Sequence, residues 1–226
     1  MITLVESGIY TVEEASRLLQ TTPKKIRGWI DGYPRTKAAP VLINDLGWLK
    51  RSLAFSFANL MEMRFIEFFA ARGVRVSSMR SMAEEAQRML DHPHPFATNT
   101  IFTTDGQKIF AKVASEAGDP RLYDLKEKNW AMLPIIEQSL LKDTQYNPAG
   151  DAVLWKPRVN VAPHVIIHPA RSFGQPILAE SGVPTRTVNE AWEAEGDIDV
   201  VAKWFQIKKK QVLEAVEFEQ RLAMAA

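Results

Sequence analysis

Apolar and polar positions alternate along this chain with periods that change several times. From 9 to 30 the spacing is helical. Val12, Ala15, Leu18 and Leu19 recur at three- and four-residue intervals, behind Thr11 and Glu14 at the spacing of a capping box. Gln20 and Thr21 interrupt the pattern. Thr22 followed by Pro23 restarts it as a cap with proline at the first helical position, and Ile26, Trp29 and Ile30 supply the buried face. Two short helices joined by a tight turn predict a helix-turn-helix. Gly32, Tyr33 and Pro34 end the unit, and Val41, Leu42 and Ile43 read as a short strand, so that 35–43 is expected to form a wing beside the second helix.

The next apolar run, 53–71, reads as one long helix. Leu53, Phe57, Leu60, Met61, Phe65 and Phe68 lie on one stripe, which Phe55, Met63, Ile66 and Phe69 widen beyond a single face. A helix apolar over most of its surface is buried on several sides or forms a dimer seam. Glu62, Arg64 and Glu67 in its middle argue against a membrane span. A second helix follows over 78–90. Residues 100–103 and 108–113 flank Asp105–Gly106, which predicts a β-hairpin. One or two helices over 124–142, a loop at 147–150 and a strand over 152–155 complete the middle, and 147–163 reads as a linker.

The last segment opens with a strand over 165–167 and a turn at 173–176. Thr187 and Glu190 have capping-box spacing, Gly196 ends that helix, and Asp197 caps the next, with Val200, Val201 and Trp204 inward. Residues 205–207 turn into a final amphipathic helix over 208–222, whose Val212, Ala215, Val216 and Leu222 face inward. This is a second helix-turn-helix pattern.

Composition narrows the function. The chain has 226 residues, 46% hydrophobic and 24% charged, and no cysteine, which removes disulfides, thiolate metal sites and cysteine nucleophiles. Residues 1–8 lack the basic segment and apolar core of a signal peptide, so a cytoplasmic location is expected. Net charge is only +1, so nucleic-acid binding has to rest on local pattern. That pattern exists. Thr22, Lys24, Lys25 and Arg27 open the second helix, where a recognition helix meets base edges and phosphates. Arg35 and Lys37 in the expected wing could reach the adjacent backbone. Lys208, Lys209 and Lys210 open the last helix, against its dipole, as contacts for DNA or an acidic partner.

Other constellations read as structure. His92 and His94 flank a proline, and His164 and His168 lack a helical context with a nearby acid, so no metal site is expected. Phe55, Phe57, Phe65, Phe68 and Phe69 read as a core or dimer seam before a ligand pocket, and Trp155, Trp192 and Trp204 as packing residues. Asp45, Asp91, Asp105 and Asp151 fall in turns and caps. With no glycine-rich phosphate loop, nucleophile elbow or paired-acid motif, neither enzyme activity nor a cofactor is expected.

Two stretches resemble known families. Tyr10-Thr11-Val12-Glu13-Glu14-Ala15 through Trp29 resembles the MerR-type winged helix-turn-helix. Gly174-Gln175-Pro176-Ile177, then Val183-Pro184-Thr185, then Gly196, Val200, Val201, Ala202, Phe205, Ile207, Val212, Ala215, Val216 and Phe218, resembles the small helical domain of unknown function family 433. That domain occurs in VapB-type antitoxins, often encoded beside a PIN-like ribonuclease toxin. The commonest members are far shorter and carry only the carboxy-terminal domain. The resemblance implies a protein that binds its cognate toxin and represses the shared operon.

The expected fold is therefore mainly α: an N-terminal winged helix-turn-helix with a helical and hairpin middle (1–146), a linker (147–163) and a C-terminal small helical domain (164–226). The expected function is that of an antitoxin that neutralises a PIN-like ribonuclease toxin and, as a homodimer joined through the long apolar helix, binds operator DNA. The rivals are a MerR-type regulator with a small-molecule effector in the aromatic middle, and a protein-interaction module that leaves DNA untouched.

Overall fold

The computed structural model describes residues 6–33, 37–122 and 137–224. The protein is mainly helical, with small antiparallel sheets. A short strand β1 (Tyr10–Thr11) leads into α1 (Val12–Leu19) and α2 (Pro23–Asp31). The capping box forms as expected: Glu14 N donates to Thr11 Oγ1 at 3.2 Å, and Thr11 N donates to Glu14 Oε2 at 2.8 Å. Gln20, at φ 54°, ends α1, and Thr22 caps α2 by accepting from Lys25 N. Trp29 and Ile26 are buried.

Residues 41–42 do not form the expected strand. Their amides donate to the Trp29 carbonyl at 2.7 and 3.1 Å, which folds them beneath α2. The hairpin lies later, as β2 (Gly47–Leu49) and β3 (Ser52–Phe55), joined by Lys50 and Arg51. Lys50 adopts φ 56°, the left-handed geometry that a two-residue hairpin turn needs at its first position. β3 is the central strand, between β1 and β2. This corrects the long helix. Leu53, Ala54 and Phe55 are strand residues covered on both faces, which is why they read as a continuous apolar run. The helix itself, α3 (Phe57–Ala70), starts behind Ser56, whose Oγ accepts from Asn59 N at 3.1 Å.

α3 is the spine of the molecule. Leu60, Met63, Phe65, Ile66 and Phe69 are at most 1% exposed within the single chain. Phe65 stacks on Phe96 at 4.3 Å and meets Phe69 at 4.8 Å. The helix therefore has no apolar stripe left for the expected dimer seam. α4 (Val76–Leu90) meets the 3-10 turn Pro95–Ala97, which also packs on α3, and a buried Asp119 holds the start of α4 by accepting from Arg75 N and Ser78 Oγ.

The Asp105–Gly106 hairpin is not formed. Residues 99–102 make a short 3-10 turn, and α5 (Thr104–Glu116) follows. Ile109 and Val113, four apart, are buried, with Ala114 beside them, so the same residues satisfy a helical period against α4. Gly106 serves close packing: a Cβ there would lie 1.7 Å from the Ile101 carbonyl oxygen. Of the helix expected over 124–142, residues 124–136 lie outside the described residues. Residues Glu137–Leu141 form one π-helical turn.

β4 (Thr144–Tyr146) pairs with β5 (Ala152–Trp155), and Trp155 exchanges backbone bonds with Ile167. β6 (Val165–Ile166) pairs with β7 (Ile177–Leu178). Three helices close the chain: α6 (Thr185–Glu195), α7 (Ile198–Phe205) and α8 (Lys209–Met224). Val188, Val201, Val212, Ala215 and Phe218 are their fully buried contacts, and Asp197 caps α7 as expected. Two readings change here. The Thr187–Glu190 capping box is absent, because α6 begins at Thr185 behind Pro184, and Glu190 instead binds Arg186 at 2.7 Å. Trp204 is 57% exposed, and the inward positions of α7 are Val201 and Ala202.

Ile9 N donates to Phe173 O at 3.0 Å, and the Tyr10 hydroxyl donates to Gly174 O at 2.9 Å. These bonds dock the loop before β7 against the start of the first helix pair. No helix among the described residues is long and apolar enough to cross a membrane.

Candidate nucleic-acid interface

The expected contact residues of α2 have different fates. Lys24 is exposed and has no side-chain partner among the described residues. Arg27 is exposed and reaches only a loose ion pair, 3.6 Å from the equally exposed Glu13. Lys25 is committed: its ammonium lies 3.2 Å from Glu67 of α3, which also accepts from the Thr21 hydroxyl at 3.0 Å. Lys25 thus anchors α2 to the spine, and Thr22 is occupied as the cap. Lys37 is exposed at φ 53°, and Arg35 lies outside the described residues.

The hairpin carries cations that the sequence reading missed. Lys50 and Arg51 form its turn and are exposed, and the neighbouring Trp48 is 67% exposed. Gly47 to Ser52 held the signal, two adjacent cations between short apolar stretches. It was hidden because Leu53–Phe55 fitted the helical stripe that follows.

In the last unit, Lys208, Lys209 and Lys210 are all exposed at the start of α8. Lys209 pairs closely with Asp199 of α7, and Lys210 stands 3.8 Å from Glu214. Lys208 N donates to Gln211 Oε1 at 2.9 Å, so Gln211 caps the helix that the lysines open. Of this run, Lys208 keeps its ammonium unpaired among the described residues.

The base of the hairpin holds a buried polar network. His94 Nε2 lies 2.7 Å from Asp45 and His94 Nδ1 lies 2.9 Å from Glu62. The Ser56 hydroxyl donates to Asp45 in a short bond, and Asn59 donates to Ile43 O at 2.7 Å while accepting from Asp45 N. Burial disfavours the charged ring, but hydrogen bonds to Asp45 and Glu62, with their charges, outweigh it and raise His94 to about 10. Burial raises Glu62. Asp45 resists its own burial through bonds from His94 and Ser56 and sits below the ordinary carboxylate range. His94 lies on a loop and is buried, its side chain 9% exposed. His164 pairs with Glu214 at 2.8 Å. Among the described residues no cluster of histidine and carboxylate groups is arranged to hold a metal.

The cavity beside Phe65, Phe96 and Phe102 measures about 10 Å³, at the limit for one water molecule. An open cleft of about 560 Å³ lies instead between α1 and the last helices, lined by Glu14, Arg17, Arg186, Asn189 and Glu219 among others.

No protein-family model matches the chain. A protein of Mycobacterium tuberculosis (strain ATCC 25618 / H37Rv) named "Putative antitoxin VapB45" is 25% identical over 224 residues, covering 92% of this chain and 92% of that protein. The crystal structure of Rv2018 from Mycobacterium tuberculosis superposes with a TM-score of 0.72 at 20% identity, over 92% of this chain and 96% of that one. The fold described above is thus shared along nearly the whole chain with a solved bacterial protein.

Proposed function

We propose that this protein is a VapB-type antitoxin that binds operator DNA and holds a PIN-like ribonuclease toxin. The full-length likeness to a protein named as an antitoxin supports the toxin–antitoxin role. The observation that carries the DNA half is a set of exposed cations, Lys24 and Arg27 on α2 and Lys50 and Arg51 on the hairpin. We read α1, α2 and the β2–β3 hairpin as a winged helix-turn-helix of MerR-like kind, with α2 in the major groove and the hairpin as the wing on the flanking backbone. Helices α6 to α8 are the family 433 domain in this reading. The lysines that open α8 are a second basic surface, for DNA or for an acidic face of the toxin. The protein acts in the cytoplasm as a homodimer on a palindromic site, through a surface other than the apolar stripe of α3.

The experiment is promoter binding by the purified protein at two salt concentrations, with Lys24→Ala/Arg27→Ala and Lys50→Ala/Arg51→Ala. Each double variant is expected to weaken binding and flatten the salt dependence, by about one unit of slope for each phosphate no longer neutralised. Binding that survives both changes would move the DNA contact to α8. For the other half, the protein encoded beside this one is expected to co-purify with it and to lose ribonuclease activity on binding. Absence of any such partner would remove the antitoxin reading.

A further inference from the structure

A hairpin that carries cations to a phosphate backbone has to be held, and β1 pairs with β3 only at Ala54 and Phe55, which leaves β2 and the Lys50–Arg51 turn to pairing within the hairpin. Both ends of this hairpin meet at one carboxylate. Asp45 stands two residues before β2, and Ser56 directly follows β3 and donates to Asp45. The same carboxylate takes His94 Nε2 at 2.7 Å, and the far side of that ring meets Glu62 of α3 at 2.9 Å. The three side chains are at most 10% exposed.

The proton count explains why a histidine stands there. A neutral imidazole has one N–H, but a carboxylate faces each ring nitrogen. A second proton is needed, on the ring or on Glu62, and in either case every short contact joins a donor to an acceptor. The unit then holds one net negative charge. A side chain that reaches only one of the two acids leaves the other buried without its partner, which is strongly unfavourable. Among the described residues the other ring near this site is His92, 6.5 Å away, whose own Nε2 lies 3.0 Å from Asp151 of the β4–β5 turn. The loop that carries both histidines is thereby fixed on its other side as well: Asn99 N donates to Gly150 O at 2.9 Å.

We propose that His94 is the positioning residue of the basic hairpin, bridging the carboxylate shared by the hairpin's two ends to the central helix. Its consequence for DNA rests on the reading of the hairpin as a wing, but its structural claim does not.

The test is hydrogen–deuterium exchange on the full chain, comparing wild type with His94→Gln and with Glu62→Leu, which offers the ring neither donor nor acceptor, beside promoter binding at two salts. Amides of β2 and β3 are expected to exchange roughly tenfold faster in both variants while those of α8 keep their protection. Promoter affinity is expected to fall roughly tenfold with a shallower salt slope, as if Lys50 and Arg51 no longer reached the backbone. Hairpin exchange that stays at the wild-type rate, or rises equally over the whole chain, would overturn the proposal. If wild type binds no promoter, the DNA reading falls, and the exchange comparison still decides the role of His94. Should both variants fail to fold, nitrogen NMR of the wild-type ring decides: both nitrogens hydrogen-bonded at about pH 8 supports the bridge, and free titration near the ordinary histidine value of about 6.5 excludes it.

Discussion

A charge in the middle of an apolar helix needs a partner, and α3 carries three of them, each fastened to a different part of the chain. Glu67 holds Thr21 and Lys25 of the first helix pair. Arg64 donates to the carbonyls of Ser139 and Leu140 and to Thr144, and lies 5.0 Å from the Trp155 ring. Glu62 holds His94. Burial lowers Arg64 to about 10 against the opposing charges of Tyr146 and Asp143, so the guanidinium that makes these bonds stays charged near neutral pH. The His94 contact has a definite pH signature. Its pKa in the folded state, about 10, lies above the unfolded value of 6.5. The stabilisation is therefore complete below about 6.5 and is lost as pH rises through about 10. Asp45, Glu62 and the nearby His92–Asp151 pair are the ionisable groups around the ring. Urea denaturation across this range is expected to show the wild-type advantage over His94→Gln, about 3 kcal/mol near neutral pH, shrinking as pH approaches 10. A difference that stays constant over the range would mean that the ring carries no charge in the folded protein.

At the level of elements, three caps and the strands over 152–155 and 165–166 were legible, whereas the Thr187–Glu190 cap and the β2–β3 hairpin were misread. Thr11 accepts from Glu14 N, Thr22 from Lys25 N and Asp197 from Asp199 N, bonds within three residues that spacing can reveal, although the same spacing at Thr187 and Glu190 forms no cap. Leu53–Phe55 could not be separated from α3 because successive residues of β3, which point to opposite faces, are all buried by packing, and this erases the alternation that marks a strand. Lys50 and Arg51 stayed hidden for the same reason, since their meaning depends on a turn that was not recognised. Asp105–Gly106 misled in the opposite direction. Its turn chemistry is genuine in isolation, but Ile109 and Val113 gain burial only as a helix against α4. Gly106 is needed there for space, and this separates the two readings experimentally. In an open helix, alanine for glycine would stabilise by about 1 kcal/mol. Here its Cβ would fall 1.7 Å from the Ile101 carbonyl oxygen, a backbone atom that cannot swing aside. Gly106→Ala is expected to destabilise by about 1–3 kcal/mol in urea denaturation, the usual cost of overpacking. A gain in stability would mean that residues 99–102 do not lie against α5.

The two ends of the molecule meet at a junction that local patterns do not announce. Ser172, Phe173 and Gly174 adopt positive φ in succession, which turns the Phe173 and Gly174 carbonyls toward Ile9 and Tyr10. For phenylalanine that geometry is costly and is held in place by its surroundings. Gly174 has no substitute: at φ 82° a Cβ would lie 2.3 Å from the Tyr10 hydroxyl and 2.9 Å from Gly8 Cα. Buried apolar residues form one contiguous cluster from Tyr10 to Leu222, so the start of the chain and the last three helices share a core. If that docking is tight, heat should melt the protein in one calorimetric transition. Tyr10→Phe, which leaves the Gly174 carbonyl without its donor, is expected to lower stability by about 1 kcal/mol and keep the single transition. Gly174→Ala forces the two surfaces apart, and its melt is expected to split, with the α6–α8 helices unfolding separately from the α3 core. Two transitions already in the wild type would mean that the ends are independent units in contact. One unchanged transition in Gly174→Ala would mean that the junction contributes nothing to cooperativity. In an antitoxin of the kind proposed, the first outcome joins a DNA-binding end and a second basic end into one mechanical body, so that a partner seated on one bears on the other.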